Sequence, residues 1–546
     1  MNQQEATAGR GYDGWLVPLA FVLASLPLLW ISMPPVVDYP NHLTRIWLLA
    51  GGASEAPLSS VYVPDWSHAS TNVGVDYVMV ALAQVLPFSV VDRLMRMLMF
   101  IGPPLGAACL GRAVSGRTTV WHVAPLAFAW STTSIAGFMS YSIAIGAALF
   151  CAVFVEYRRG RMDPLTLGVH VMFSFGLLAI HPFGLLFYHA LVAGLLIGKA
   201  TVFPVQRDRM LRVVWKIVVF SIVGAIPVAL LFTSSSSSPD TSSLVYPWSE
   251  KLNPGYYLKL LLSPILTYNP RVDVLAFLPI FVASALWVVD KRRQFHFGLL
   301  VIAILLGIAA LGMPTEIGDA SFLDRRLPLM AALAFMVAIC PAPRDGRLHA
   351  AMTAMLLGAV LGKAAWIGGV WKERERDIAD FDAVTRQIRP GDAVMPVTLL
   401  ASSLKTAPLG RLTADTGDVS RKHLPTTLIM SRRAYVPTLF AIGGQHPIRV
   451  ASLARGEGRH TSTVPSPETL YAAAGNGYIQ GWRCSYRYLL LIEADEETSH
   501  PLDARGLTLV ASRGFAALYS IDRPGAGQSC DQPPVRRRPR ASVRTQ

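Results

Sequence analysis

The chain has 546 residues, of which 52% are hydrophobic and 15% charged, and its mean hydropathy is +0.41. A soluble domain carries nearer ~25% charge, and a soluble core of this length could not absorb so much apolar surface. The net charge of +14 does not mark a nucleic-acid binder, because the basic residues sit in short clusters between apolar runs, as membrane orientation requires.

A helix crosses the hydrocarbon core with roughly 20 apolar residues. Suitable runs lie near 15–33, 93–110, 120–134, 138–156, 165–181, 183–199, 213–232, 273–290, 296–312, 326–341 and 349–370. They predict a polytopic α-helical membrane protein of about eleven to thirteen spans. The first run is too long for a signal peptide and is followed by Met33-Pro34-Pro35 rather than a cleavage site, so it reads as an anchor. The stretch 74–88 is either a span or an interfacial helix. The interfacial reading places five basic clusters on one side: Arg112/Arg117, Arg158/Arg159/Arg161, Lys199 through Arg212, Lys291/Arg292/Arg293 and Arg344/Arg347. The positive-inside rule makes that side the cytoplasm, with the N-terminus inside and the C-terminus outside.

The first outside loop, 34–92, opens with Val36-Val37-Asp38-Tyr39-Pro40-Asn41-His42. Pro40 suits a first helical turn, and Leu43, Ile46, Trp47 and Ala50 follow at helical spacing. This predicts a short helix on the membrane surface with Trp47 at headgroup level. Asp38 and His42 sit at its positive end, where a lipid headgroup arrives. Asp38 is either a reactive carboxylate or a helix cap.

Further along, His181 precedes Pro182 in a tight turn, while His170 and His189 lie inside apolar runs and read as hydrogen-bonded core histidines. The outside loop 233–272 opens on the serine run Ser234 to Ser238, which reads as linker. Asp324-Arg325-Arg326 stands at the outer mouth of a span. Two arginines there run against the positive-inside trend, and charge at a membrane boundary is costly unless used or paired.

Residues 1–371 thus form a transmembrane domain and 372–530 an extracytoplasmic α/β domain, with a basic tail, 531–546, that holds Arg536 to Arg540. Asp377 to Ile388 suits a helix, Ala393 to Leu399 and Tyr488 to Glu493 suit strands, and Leu507–Val510 with Phe515–Ile521 suit a hairpin. Between Ala401 and Trp482 no period is visible, and long loops are expected. Cys484 and Cys530 are close enough to bridge only if the fold brings them together. No zinc motif or phosphate loop is present.

This layout resembles the GT-C glycosyltransferases, being similar to dolichyl-phosphate-mannose mannosyltransferases and aminoarabinose transferases. Shared are an early outside loop with an acidic residue, about eleven to thirteen spans and a C-terminal outside domain. The resemblance implies a polyprenyl-phosphate-linked sugar donor, a lipid, glycan or protein acceptor and a bacterial inner membrane. Asp38 matches the family's catalytic carboxylate, supported by His42. Arg325 or Arg326 would bind the carrier phosphate, with His181, Glu316 and Tyr39 completing a substrate site. Many relatives pair two acids, whereas Asp38 is followed by Tyr39. No metal ligand is assigned, and a divalent cation is left open: a second acid would have to come from Asp65 or Asp76, while Glu316 and Asp319 could serve the acceptor or a metal. A transporter or flippase of a lipid-linked glycan would instead carry inverted repeats, and none is visible. A non-catalytic scaffold would leave Asp38, Arg325 and Arg326 dispensable.

Overall fold

The computed structural model describes residues 3–69, 71–200, 207–234, 244–245, 251–289, 295–317, 322–341, 345–399, 420–441, 445–451, 464–472, 478–494, 502–523 and 530. The basic tail, most of the serine run, Lys291/Arg292/Arg293, Arg344 and Asp319 lie outside them.

Helix α1 (Gln3–Ser25) runs into the single turn α2 (Pro27–Trp30). Helix α3 (Tyr39–Leu49) carries Pro40 in its first turn, where a missing amide costs nothing. Helix α4 (Gly74–Ala83) has 10 residues, about 15 Å of rise, which is half the hydrocarbon thickness. It is held to α3 by a fully buried Arg45–Asp76 ion pair. Helices α5 (Phe88–Phe100) and α6 (Gly102–Ser115) form one crossing bent by 52° at Gly102-Pro103-Pro104.

The bundle continues with the short α7 (Thr132–Ala136), then α8 (Met139–Tyr157), α9 (Pro164–Ile180) and α10 (Pro182–Ala200). It is completed by α11 (Arg207–Gly224), α12 (Ile226–Ser234), α13 (Pro254–Leu262), α14 (Pro270–Val289), α15 (Phe297–Gly312), α16 (Leu327–Ala338) and α17 (Gly346–Thr385). Among the described residues, five helices are long and apolar enough to cross a bilayer, or six with the bent pair, and α9, α10, α15 and α16 are apolar but shorter. The chain is a polytopic helical membrane protein with a sheet near its C-terminus.

Contacts between chain-distant residues define the two ends of the bundle. At one end Asp13 meets His349 and the backbone of Val120, Thr119 meets Cys340, and Phe295 pairs with Ile339. At the other end Asp38 meets Ala136, Arg326 meets His181, and Tyr268 meets Pro35. Along α17, His349 marks the first end, and Trp371, bonded to Tyr268, marks the second. The rise between those two residues is about 33 Å, close to one hydrocarbon thickness.

These anchors correct the reading of 120–134 as a helical span. The chain does pass from the Asp13 end to the Asp38 end there, but as a 3-10 helix, Val120–Phe128, followed by extended turns and α7. Pro125 removes one amide, and the hydroxyls of Ser131 and Ser134 compete for the backbone. Every residue from Thr119 to Ala136 is buried. Irregular backbone at membrane depth is tolerated only inside protein. Here Lys363 of α17 bonds the carbonyls of Ala127, Trp130 and Ile265 at 3.3, 3.2 and 2.7 Å. Its charge is met by Asp273, 3.6 Å away. His170 and His189 are core histidines: His170 Nδ1 and Nε2 reach Tyr188 Oη and the Phe220 carbonyl, both at 2.9 Å.

The helix expected at 377–388 is the far end of α17, which does not stop at the membrane. Its last turns pack on a four-stranded sheet of order β4-β6-β8-β7. The strands are β4 (Val394–Thr398), β6 (Tyr488–Ile492), β7 (Leu507–Arg513) and β8 (Ala516–Ile521), with β4 and β6 parallel and the rest antiparallel. Cys484 and Cys530 are joined in a disulfide. The loop 34–92 contributes to this domain's core. Its strand β1 (Tyr62–Pro64) pairs with β5 (Ile448–Val450), and Leu48, Ala53, Leu58 and Tyr62 pack with Phe381, Leu428 and Leu518. Helix α3 is therefore roofed by the C-terminal domain. Trp47 lies under the Arg433 guanidinium, 4.5 Å from its carbon, rather than among headgroups.

Candidate functional site

Asp38 occupies the N-cap position of α3, yet its side chain makes no capping hydrogen bond. A second element fixes its backbone. Val37 and Asp38 donate to the carbonyls of Ile135 and Ala136, each at 3.1 Å. Gly137, next in chain, has φ +96° and lies so close that a Cβ would stand 2.6 Å from the Asp38 nitrogen. Only glycine adopts that backbone and leaves room for Asp38.

The Asp38 side chain is partly exposed and meets His423, whose Nε2 is 3.5 Å from Asp38 Oδ1. His423 comes from the C-terminal domain, just ahead of a short helix, α18 (Thr427–Arg432). Burial, and then Lys422, push its imidazole down to about 3, so the ring is neutral at neutral pH. The contact is therefore a carboxylate beside a neutral imidazole and not an ion pair. His42, one turn into α3, is held well below the usual imidazole range by burial, with Arg45 and His423 adding to it. Phe440 sits edge-on to both histidines, with centroids 5.8 Å from His42 and 5.2 Å from His423, and stacks on His446 at 5.9 Å. The Phe440 amide donates to Asn41 of α3 at 2.9 Å, tying the aromatic wedge to the helix that carries Asp38.

Arg326 faces the same region from the start of α16. Its guanidinium lies over the rings of Phe138, Phe183 and Tyr141 at 4.8, 5.5 and 5.8 Å, and Nη1 is 2.9 Å from His181 Nε2. Phe138 directly follows the Gly137 turn that holds Asp38, and the Asp38 carboxylate acts electrostatically on Arg326. Arg325 lies over Phe322, 5.1 Å away, with its backbone amide on Asp324, whose carboxylate also takes the Tyr256 hydroxyl.

The structure thus gathers Asp38, His42, His181 and Arg326, with Arg325 adjacent in chain. It turns Tyr39 and Glu316 elsewhere. Tyr39 is buried with its hydroxyl on Asp92 and Arg96 near its ring. Glu316 lies exposed in β3 (Glu316–Ile317), paired with β2 (Leu244–Val245). Asp76 is committed to Arg45, and Asp65 caps Ser67 and pairs with Arg449. Among the described residues, no group of three or more His, Cys, Asp or Glu could hold a metal ion. Sequence reasoning missed His423, Phe440 and Gly137. His423 lies in a stretch without hydrophobic period, and the only signal at Gly137 is a glycine between two apolar runs.

A scan against protein-family models found no match, and a search of curated proteins found none either. Among solved structures, the chain is similar to the crystal structure of ArnT from Cupriavidus metallidurans in the apo state. The TM-score is 0.44 and the identity 11%, over 94% of this chain and 98% of that one.

Proposed function

We propose that this chain is a membrane glycosyltransferase of the GT-C kind. It would move a sugar from a polyprenyl-phosphate donor to a lipid, glycan or protein acceptor on the outer face of the inner membrane. The observation that carries the reading is a carboxylate at a helix start, Asp38, within electrostatic reach of a cation in an aromatic frame, Arg326, at one end of the bundle. Transfer with inversion needs both. Asp38 takes the proton of the acceptor hydroxyl as its oxygen bonds to the sugar's anomeric carbon, and the bond from that carbon to the phosphate oxygen breaks. Arg326, with Arg325 adjacent, stabilises the departing phosphate. A divalent cation would add to that neutralisation, and loss of transfer in EDTA would report one.

The orientation follows from charge. Arg112, Arg117, Arg158, Arg159, Arg161 and Arg347 flank the Asp13 end of their helices. Positive-inside bias makes that end cytoplasmic, and the Cys484–Cys530 disulfide suits an oxidising compartment at the other.

The test is transfer of radiolabelled sugar from a panel of polyprenyl-phosphate sugars, in membranes carrying wild type, Asp38→Asn or Arg326→Gln. Asp38→Asn should lower kcat by about 10²–10⁴-fold. Arg326→Gln should weaken donor use by about 10–100-fold, the worth of one charge-assisted bond. Transfer unaffected by Asp38→Asn would end this assignment. Lack of transfer from every donor, with folded protein and acceptor-rich extract, would favour a flippase or a scaffold.

A further inference from the structure

The histidine that meets Asp38 belongs to no part of the membrane bundle. His423 reaches Asp38 from the outside domain, across the roof that this domain forms over α3. We infer that His423 is a positioning residue for Asp38, so that the base is held ready only when the outside domain is docked on the first loop. The inference rests on the role proposed for Asp38 and deepens it.

Three observations carry it. First, the imidazole is fixed: it is buried, and Phe440 packs edge-on against it while bonding Asn41 of α3. Second, the nitrogen facing Asp38 is at 3.5 Å, long for a hydrogen bond, as catalytic contacts often are before substrate arrives. Third, the other ring nitrogen, Nδ1, is buried without a hydrogen-bond partner among the described residues. A neutral ring has a single N–H. With the proton on Nε2, the ring places that N–H on the side of the carboxylate, 3.5 Å away, and leaves Nδ1 bare, the tautomer the surroundings permit.

A donor aimed at a carboxylate favours its ionised form. Around Asp38 stand His423, with Lys422 acting on its ring, Arg326 from α16, which the Asp38 charge reaches, and His42 of α3, whose amide donates to the Asp38 carbonyl. Removing His423 leaves the others in place, so the acid limb of the Asp38 titration should move upward.

The experiment reads Asp38 directly. Full-length protein in lipid nanodiscs is treated across pH 3–8 with a carbodiimide, which reacts with protonated carboxyls, and modification of Asp38 is followed by peptide mass spectrometry. His423→Leu should raise the labelling midpoint by about one pH unit. His423→Gln, whose amide nitrogen reaches the place of Nε2, should return it to the wild-type value. In the transfer assay, His423→Leu should lower kcat and leave KM for the donor unchanged, with its acid limb shifted alike. A midpoint equal in wild type and His423→Leu overturns the inference. So does a shift that His423→Gln fails to reverse, since only lost packing would then explain it. Should His423→Leu not fold, Phe440→Leu, which loosens the imidazole without removing it, should raise the midpoint partway, and an unmoved midpoint again overturns the inference. Failure of the glycosyltransferase reading is distinguishable, because it appears as transfer independent of Asp38 whatever the midpoint does.

Discussion

Replacing Gly137 by alanine tests whether the irregular crossing positions Asp38. The added methyl would stand 2.6 Å from the Asp38 nitrogen and 2.8 Å from its Cβ, where ordinary contact begins near 3.4 Å. Asp38 must therefore retreat by about 0.8 Å, and the bond from its amide to Ala136 must lengthen. The left-handed backbone, φ +96°, adds about 1–2 kcal/mol for any residue with a Cβ. Overpacking adds about 1–3 kcal/mol, for a total of roughly 2–5 kcal/mol. A shift approaching 1 Å in a reacting group costs up to about 10²-fold in rate. Gly137→Ala should thus lower the melting temperature in detergent and reduce transfer by about 10–100-fold. Gly176→Ala in α9 is the control. Nothing lies within 4 Å of its new methyl, so it should be neutral or slightly stabilising. Wild-type melting and transfer in Gly137→Ala would refute the claim that this turn holds the carboxylate.

Other outcomes follow from buried charge and from the disulfide. Arg45→Met should destabilise by about 3–5 kcal/mol in chemical denaturation, because it strands Asp76, and adding Asp76→Leu should recover much of the loss. Thiol titration of the denatured, unreduced protein should find three free cysteines, Cys109, Cys151 and Cys340. Removing the Cys484–Cys530 bond, which spans 46 residues, should cost the C-terminal domain about 3–4 kcal/mol. His42 and His423 have native values depressed below the unfolded ~6.5, so their contribution is complete above that pH and is lost as pH falls toward the native values. Each should steepen acid destabilisation by up to about 1.4 kcal/mol per pH unit. His42→Gln and His423→Gln should flatten melting temperature against pH between 6.5 and 4.

Much of this architecture was legible because its signals are local. Apolar runs mark the bundle. Tyr488–Ile492 and the hairpin 507–521 declare themselves by β-branched and apolar runs around Gly514. Pro40 announces α3 and thereby the setting of Asp38. What was not legible depends on pairing between distant residues. The apolar run 120–134 reads as a helix, and only Lys363, more than 200 residues later, makes a non-helical path affordable. The roof over α3 rests on β1 meeting β5, two three-residue strands with no period to betray them. His423 follows from that roof, so no motif could have singled it out.

The crossing at Val120–Ala136 has a consequence for biogenesis. A segment that leaves carbonyls to be met by a lysine of α17 cannot settle alone in lipid as the ribosome delivers it. Its amide at Thr132 likewise waits for the Ser263 carbonyl. The ribosome must finish α17 before this early segment reaches its final place. Topogenesis here therefore closes from the C-terminal side, and truncation before Lys363 should leave the first third of the chain inserted but unfinished.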